Sequence, residues 1–235
     1  MIRRSIVSFP TMKLKQLESY LSQVAPFENP QYELEQYPTS AHLASRMIFT
    51  AANSFEDIVD KHVLDLGTGT AMLGIASVIM GAGHVLGIDV DPGALATAAE
   101  NLRVVEAEEE MELLHSNVEH ISLRPGSFDT VVMNPPFGTR TSGADTMFLN
   151  KAFEVATHAV YSMHKSSTRE FVLAQGASKG FRGEVLAELR FDVPKMYAFH
   201  KKKSVDIEVD LVRFERIEPL PTDEKEEEKS EEIVF

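Results

Sequence analysis

Apolar positions along this chain follow two periods that take turns, and the alternation predicts a layered α/β fold. Leu14, Leu17, Tyr20 and Leu21 fall near i, i+3, i+4 spacing, the stripe of an amphipathic helix over residues 12–24. A loop at 36–39 separates it from a second helical run at 41–49. Short, mostly apolar runs at 62–66, 84–89, 111–115, 129–133 and 159–164 read as strands, with a helix start at 71–76 and helical runs at 95–105 and 145–157 between them. Strands alternating with helices imply a parallel sheet. Two further β-patterned runs, 184–190 and 204–214, have no helical run between them and are expected to pair antiparallel at the sheet edge. Val205, Ile207, Val209 and Leu211 alternate strictly, and Phe214 breaks the step. The expectation is therefore an α/β domain at 11–216 with a seven-stranded, mostly parallel sheet, preceded by an extension at 1–10 and followed by an acidic tail at 217–235.

The fourth strand run leads directly into Asn134-Pro135-Pro136-Phe137. Two prolines fix φ and remove N–H donors, so this turn cannot slip into helix or continue as a ladder strand. It therefore presents acceptors: the Asn134 side-chain oxygen and the Pro135 carbonyl, with an aromatic ring beside them. That set suits a planar NH2 group. Asn-Pro and Pro-Pro are also ordinary turn residues, and the reading gains weight from a second motif upstream.

That motif is the strand 62–66, ending Asp65-Leu66, followed by Gly67-Thr68-Gly69-Thr70 and a helix start. Glycines there let backbone approach a ligand at a helix N-terminus. Ala71 replaces the third glycine, so the dinucleotide fingerprint is incomplete. The next strand ends at Asp89, about twenty residues on, where doubly wound nucleotide folds place the carboxylate that takes ribose hydroxyls. Asp89 as a helix cap is the plainer reading, but Asp91 suits that role better with Pro92 at the first helical position.

Charge complicates a nucleic-acid partner. The formal charge is -13, from 23 Lys and Arg against 36 Asp and Glu. Residues 222–235 hold Asp223 and six Glu against Lys225 and Lys229, a net of -5 that leaves -8 for the rest. Such density predicts a disordered tail. An acidic body is unusual for a free-standing nucleic-acid binder, unless its cations are focused or a partner supplies them. His200, Lys201, Lys202 and Lys203 lie between the last two strand runs, and Lys165 and Arg169 follow the fifth strand; a basic tip on an acidic body fits a focused phosphate contact. There are no cysteines, which excludes disulfides and Cys-based zinc sites, and no metal site is expected in this chain. No stretch approaches the ~20 apolar residues of a membrane span. Cytoplasmic and nuclear or nucleolar placement is expected.

Taken in order, Asp65-x-Gly67-x-Gly69, Asp89 and Asn134-Pro135-Pro136-Phe137 resemble a class I S-adenosylmethionine-dependent methyltransferase of Rossmann-like fold. Longer strings narrow this: Leu34-Glu35-Gln36-Tyr37-Pro38-Thr39, Tyr161-Ser162-Met163-His164-Lys165-Ser166 and Phe199-His200-Lys201-Lys202-Lys203-Ser204. The chain is similar, over about residues 14–214, to the methyltransferase-like family that makes N6-methyladenosine in small-subunit (18S) ribosomal RNA. The resemblance implies S-adenosylmethionine as cofactor, held by Gln36, Thr39, Asp65, Gly67, Gly69, Thr70 and Asp89. Asn117-Val118 stands where relatives carry an Asp-Val pair against the cofactor adenine. It further implies a heterodimer with a small zinc-binding activator subunit. Protein-glutamine methyltransferases with an Asn-Pro-Pro-Tyr type motif and DNA adenine methyltransferases acting on a flipped base share the amine pocket. Phe137 and the string around Lys201 favour RNA. A non-enzymatic scaffold would need a damaged cofactor loop, and Ala71 and Asn117 are mild departures.

Overall fold

The computed structural model describes residues 12–141, 143–194 and 204–219. Among these, the strands are β1 (His62–Leu66), β2 (His84–Asp89), β3 (Met111–His115), β4 (Phe128–Met133), β5 (Ala156–Lys165), β6 (Phe181–Pro194) and β7 (Ser204–Arg216). The helices are α1 (Leu14–Leu21), α2 (Ala41–Asn53), α3 (Met72–Ile79), α4 (Pro92–Val105), α5 (Ala144–Val155) and α6 (Arg169–Ser178). The strands form a single seven-stranded sheet in the order β3-β2-β1-β4-β5-β7-β6. The five strands from β3 to β5 are mutually parallel, and β7 is antiparallel to both β5 and β6. Chain order and spatial order part company at β1, which has β2 on one side and β4 on the other. The sheet is the expected Rossmann-like one, and β7 is inserted inside the edge strand β6.

Alternating side chains feed two cores. Val63, Val132, Tyr161 and Met163 join Leu17, Met47, Ile75 and Leu102 from α1 to α4 on one face. Leu64, Val131, Met133 and Val160 join Leu149 and Phe153 from α5 and Val172 from α6 on the other. There Phe153 packs on Phe181 and Phe214 at ring separations of 4.5 and 5.1 Å, and aromatic pairs at such spacing stabilise beyond their buried area.

Three elements differ from the sequence expectation. The helix expected to reach residue 157 stops at Val155, because Ala156 turns extended (φ -79, ψ 132) to pair with Phe128 of β4. Sheet pairing overrides helix propensity there. The strand expected at 184–190 runs from Phe181 to Pro194, paired with β7 on both sides of a register shift between Val185 and Ala187. Helix α6 was not anticipated; it buries Val172 and Gly176 and little else, so it has no clear apolar stripe. No helix among the described residues is long and apolar enough to cross a membrane.

Candidate active site

In an open α/β sheet, the crevice outside the carboxyl ends of the strands opens where the strand order reverses. Here that point lies between β1 and β4, and a cavity of about 290 Å³ occupies it. Its wall gathers Asp65 and Gly67 to Thr70 after β1, Asp89 after β2, Asn117 and Val118 after β3, and Asn134 and Pro136 after β4. Gln36 and Thr39 of the segment between α1 and α2 complete it. Pro135 and Phe137 are buried and lie off the wall; Phe137 is 8 % exposed and belongs to the core on the α2 face.

The glycine turn is held from within. Gly67 and Thr68 N–H both donate to the Ile88 carbonyl at 2.9 Å, and Gly69 N–H donates to Asp89 Oδ2 at 2.8 Å. Both glycines have positive φ, +74 and +54, and a Cβ on either would stand 2.8 Å from the ring of Phe148 or Phe27. Glycine is therefore required twice over. Ala71, at the position of the missing third glycine, adopts the left-handed conformation even so (φ 68). Because the Gly67, Thr68 and Gly69 amides are used internally, those three are not free to cradle a phosphate.

Electrostatics point the same way. Glu33, Glu35, Asp65, Asp89 and Glu119 line the cavity, and among the described residues no Lys or Arg does. Asp65 Oδ2 accepts from Thr68 Oγ1 at 2.7 Å and Gly74 N–H at 2.8 Å. Burial nevertheless pushes its carboxyl up to about 7, with nearby Asp89 adding to the rise. Burial also raises Asp89, whose Oδ1 accepts from Asp91 N–H at 2.9 Å. A site lined with carboxylates and without a countercharge fits a cationic, hydroxyl-bearing ligand. It disfavours a pyrophosphate.

At the β4 end, Asn134 Nδ2 donates to Thr39 Oγ1 at 3.0 Å. Asn134 Oδ1 is then buried without a hydrogen-bond partner. It is one of five such side-chain atoms among the described residues, and of these it alone belongs to a residue of the cavity wall. The predicted amine acceptor thus has no partner within the described residues, and its amide is held by a residue that the sequence separates from it by 95 positions.

Gln36 is tied to the site differently from a simple lid. Its Nε2 donates to Asp91 Oδ2 at 2.7 Å and its Oε1 accepts from Gln31 N–H at 2.7 Å. Asp91 Oδ1 in turn caps α4 through Gly93 N–H, the role expected of it. Asn117 Oδ1 accepts from Glu119 N–H at 2.9 Å, leaving one lone pair for a ligand. Glu35 was not singled out from the sequence. It takes a positive φ of 51, is 7 % exposed, and accepts from Phe137 N–H (2.9 Å) and Arg140 N–H (2.8 Å), so it ties the loop before α2 to the Asn134 turn. Its left-handed backbone before Gln36 carried no local signal.

The basic candidates separate. Lys165 borders a second hollow with Ser167, Arg190, Ile207 and Glu208. Arg169 is engaged: Nε and Nη2 grip both oxygens of Asp210 at 2.6 and 2.8 Å, and Nη2 reaches Glu188 at 2.8 Å. It would have to leave Asp210 to meet a phosphate. His200, Lys201, Lys202 and Lys203 lie outside the described residues.

Comparison with known proteins fits this geometry. The model of the ribosomal protein L11 methyltransferase (PrmA) family matches residues 37–135, which include the glycine turn, Asp89 and Asn134 of the cavity wall. Over most of the chain, the rRNA N(6)-adenosine-methyltransferase METTL5 of Danio rerio is 47 % identical across 205 residues, 86 % of this chain and 99 % of that protein. Its Drosophila melanogaster counterpart is 46 % identical over 87 % of this chain and 97 % of that one. The crystal structure of a proposed RNA methyltransferase from Pyrococcus horikoshii superposes with a TM-score of 0.77 at 35 % identity, covering 88 % of this chain and all of that one. With nearly full-length relatives at this identity, the chain belongs to the family of S-adenosylmethionine-dependent rRNA N(6)-adenosine methyltransferases.

Proposed function

We propose that this protein transfers a methyl group from S-adenosylmethionine to N6 of an adenosine in ribosomal RNA, that of the small (18S) subunit. The observation that carries the reading is the buried, partnerless Asn134 Oδ1 beside a cavity lined by carboxylates. The names of the full-length relatives support the rRNA substrate.

An adenine N6 lone pair is delocalised into the ring, so the amine is a weak nucleophile. Asn134 Oδ1 and the Pro135 carbonyl accept its two hydrogens, which draws the nitrogen towards sp3 and frees the lone pair. Thr39 Oγ1 engages the amide's NH2 on the side away from that place. S-adenosylmethionine, when bound, supplies an electrophilic methyl on a cationic sulfur. Asp89 accepts from the ribose diol, Gly67 to Thr70 shape the methionine side, Asn117 and Val118 meet the adenine, and Gln36 closes the N-terminal wall. Positioning supplies much of the rate, and no strong base is needed before transfer because the nitrogen becomes acidic once methylated. Pro136 stiffens the turn, and Phe137, buried in the core off the cavity wall, packs behind it where stacking on the base was expected.

Lys165, Arg169 and the run His200 to Lys203 are proposed as RNA contacts. The sheet has two outer edges among the described residues, β3 and β6, and an exposed edge invites pairing. This supports a heterodimer with a small zinc-binding activator subunit. The protein is proposed to act in the cytoplasm and the nucleus or nucleolus.

The match of residues 37–135 to a protein methyltransferase family keeps one rival in view. Methyl transfer from labelled S-adenosylmethionine into RNA, DNA and protein separates them. Label is expected in RNA, with a loss of about 10²–10³-fold in Asn134→Ala, the effect of removing one oriented polar group. Label in protein alone would overturn the substrate.

A further inference from the structure

Next in sequence to the cavity wall stands a cation that none of these roles uses. Arg140 follows the Asn134 turn, and its neighbour Thr141 lines the cavity together with Asn134. Two contacts seat it. Its backbone N–H donates to Glu35 Oε1 at 2.8 Å, while Glu35 Oε2 takes Phe137 N–H, so one buried carboxylate holds both ends of the segment 137–140. Its guanidinium lies 3.8 Å over the ring of Tyr32, a cation–π separation.

Neither contact uses the guanidinium's N–H donors. Glu35 takes the backbone, and the ring takes the flat face. By contrast, Arg169 pairs with Asp210, Arg182 with Glu215 and Arg213 with Asp57, while Arg216 gives its N–H groups to the Ala156 and Phe153 carbonyls. Arg140 is exposed, and among the described residues no carboxylate pairs with it. This seat is built around an open cation.

The location gives that cation a task. A nucleotide entering a cavity walled by Glu33, Asp65 and Asp89 brings a phosphate towards negative charge. A planar fork of donors next to that wall matches a phosphate bidentately and offsets that repulsion. We propose that Arg140, seated on Tyr32 and anchored through Glu35, binds the backbone phosphate next to the adenosine whose base enters the cavity. The inference rests on the reading of this site as an RNA methyltransferase. It assigns Arg140 to placing the strand, since phosphate contacts carry register and not sequence.

Arg140→Gln keeps the backbone N–H that Glu35 holds and removes the charge. With the full chain and a short single-stranded RNA containing adenosine, KM for RNA is expected to rise about tenfold, a charge-assisted hydrogen bond's effect. The slope of log affinity against log salt is expected to shrink by about one. Turnover at saturating RNA and the Kd for S-adenosylmethionine stay at wild-type values, and Arg140→Lys recovers part of the KM. An unchanged KM and salt slope would overturn the proposal, as would a loss confined to turnover or cofactor affinity, which marks a loop-holding role. If the wild-type chain places no methyl on RNA, the functional reading fails and this inference with it. If it methylates RNA and Arg140→Gln is indistinguishable, only the phosphate contact falls.

Discussion

Two buried carboxylate clusters sit at opposite ends of the same strands, and they are solved in opposite ways. At the amino ends, Asp57 is fully buried and both its oxygens are engaged: Oδ2 accepts from Tyr161 OH at 2.6 Å and Arg213 Nε at 2.9 Å, and Oδ1 meets His158 Nε2 at 2.7 Å. Arg213 also lies 4.3 Å over the Phe55 ring. At the carboxyl ends, Asp65 and Asp89 are as deeply set but meet hydroxyl and backbone N–H donors and no cation. The first cluster is closed within the chain, whereas the second, with Asn134 Oδ1 left open, is complete only when a ligand brings positive charge and N–H donors. Burial of charge thus serves cohesion at one end and recognition at the other.

The contrast breaks most sharply at Asp57. Asp57→Ala strands Arg213, whose side chain is 8 % exposed, without its partner. Removing one member of a buried pair typically destabilises by about 3–5 kcal/mol, so urea unfolding should show a loss of that size. Turnover per folded molecule should stay near wild type, because nothing in this cluster lines the cavity. A loss below about 1 kcal/mol would mean the cluster is no more than a surface-grade ion pair.

Asp89→Ala is the counterpart at the other end. It deletes the acceptor for Gly69 and Asp91 N–H and the proposed ribose contact. Hydrogen bonds to a charged group contribute about 1.5–3 kcal/mol, so the Kd for S-adenosylmethionine should rise roughly 10- to 100-fold by calorimetry. Folding stability should move less than in Asp57→Ala, since Asp89 meets backbone N–H donors and its loss strands no buried cation. Equal stability losses in both variants would erase the distinction between the clusters.

The sequence displays these two ends unequally. The carboxyl end is legible because its residues come in local strings whose chemistry shows: a strand into Gly67-Thr68-Gly69, Asp89 at a strand end, Asn134 before two prolines. The strands themselves are legible as short apolar runs, and Asp91 as a cap because Pro92 follows it. Contacts made across the chain are not. Asp57 and Arg213 stand 156 positions apart, and Glu35 reaches Phe137 across 102, so no spacing rule links them. The end of α5 misleads for a related reason: Ala156 is a good helix former, and the β4 edge that claims it is invisible locally. Arg169 reads as a free cation in sequence and is an ion-pair member in space.

The smallest effect tests the electrostatics of the open cluster directly. Burial raises the folded-state Asp65 carboxyl to about 7, above the ~3.9 of an exposed aspartate. With the folded pKa the higher one, the native state retains a proton that the unfolded chain has released. Stability without ligand therefore declines as pH rises from about 4 to about 7, and is level above that. A cationic ligand prefers the ionised form, so its affinity runs the other way and weakens as pH falls through 7. For a single proton near that pKa, the Kd for S-adenosylmethionine should rise about threefold between roughly pH 7.5 and 6.5. Asp65→Asn should flatten that dependence while keeping an acceptor for Thr68 Oγ1. The Asp57 cluster, already matched to Arg213, should contribute no such slope to ligand binding. A pH profile for cofactor affinity that survives in Asp65→Asn would place the titrating group elsewhere and remove the charge of Asp65 from the account of this cavity.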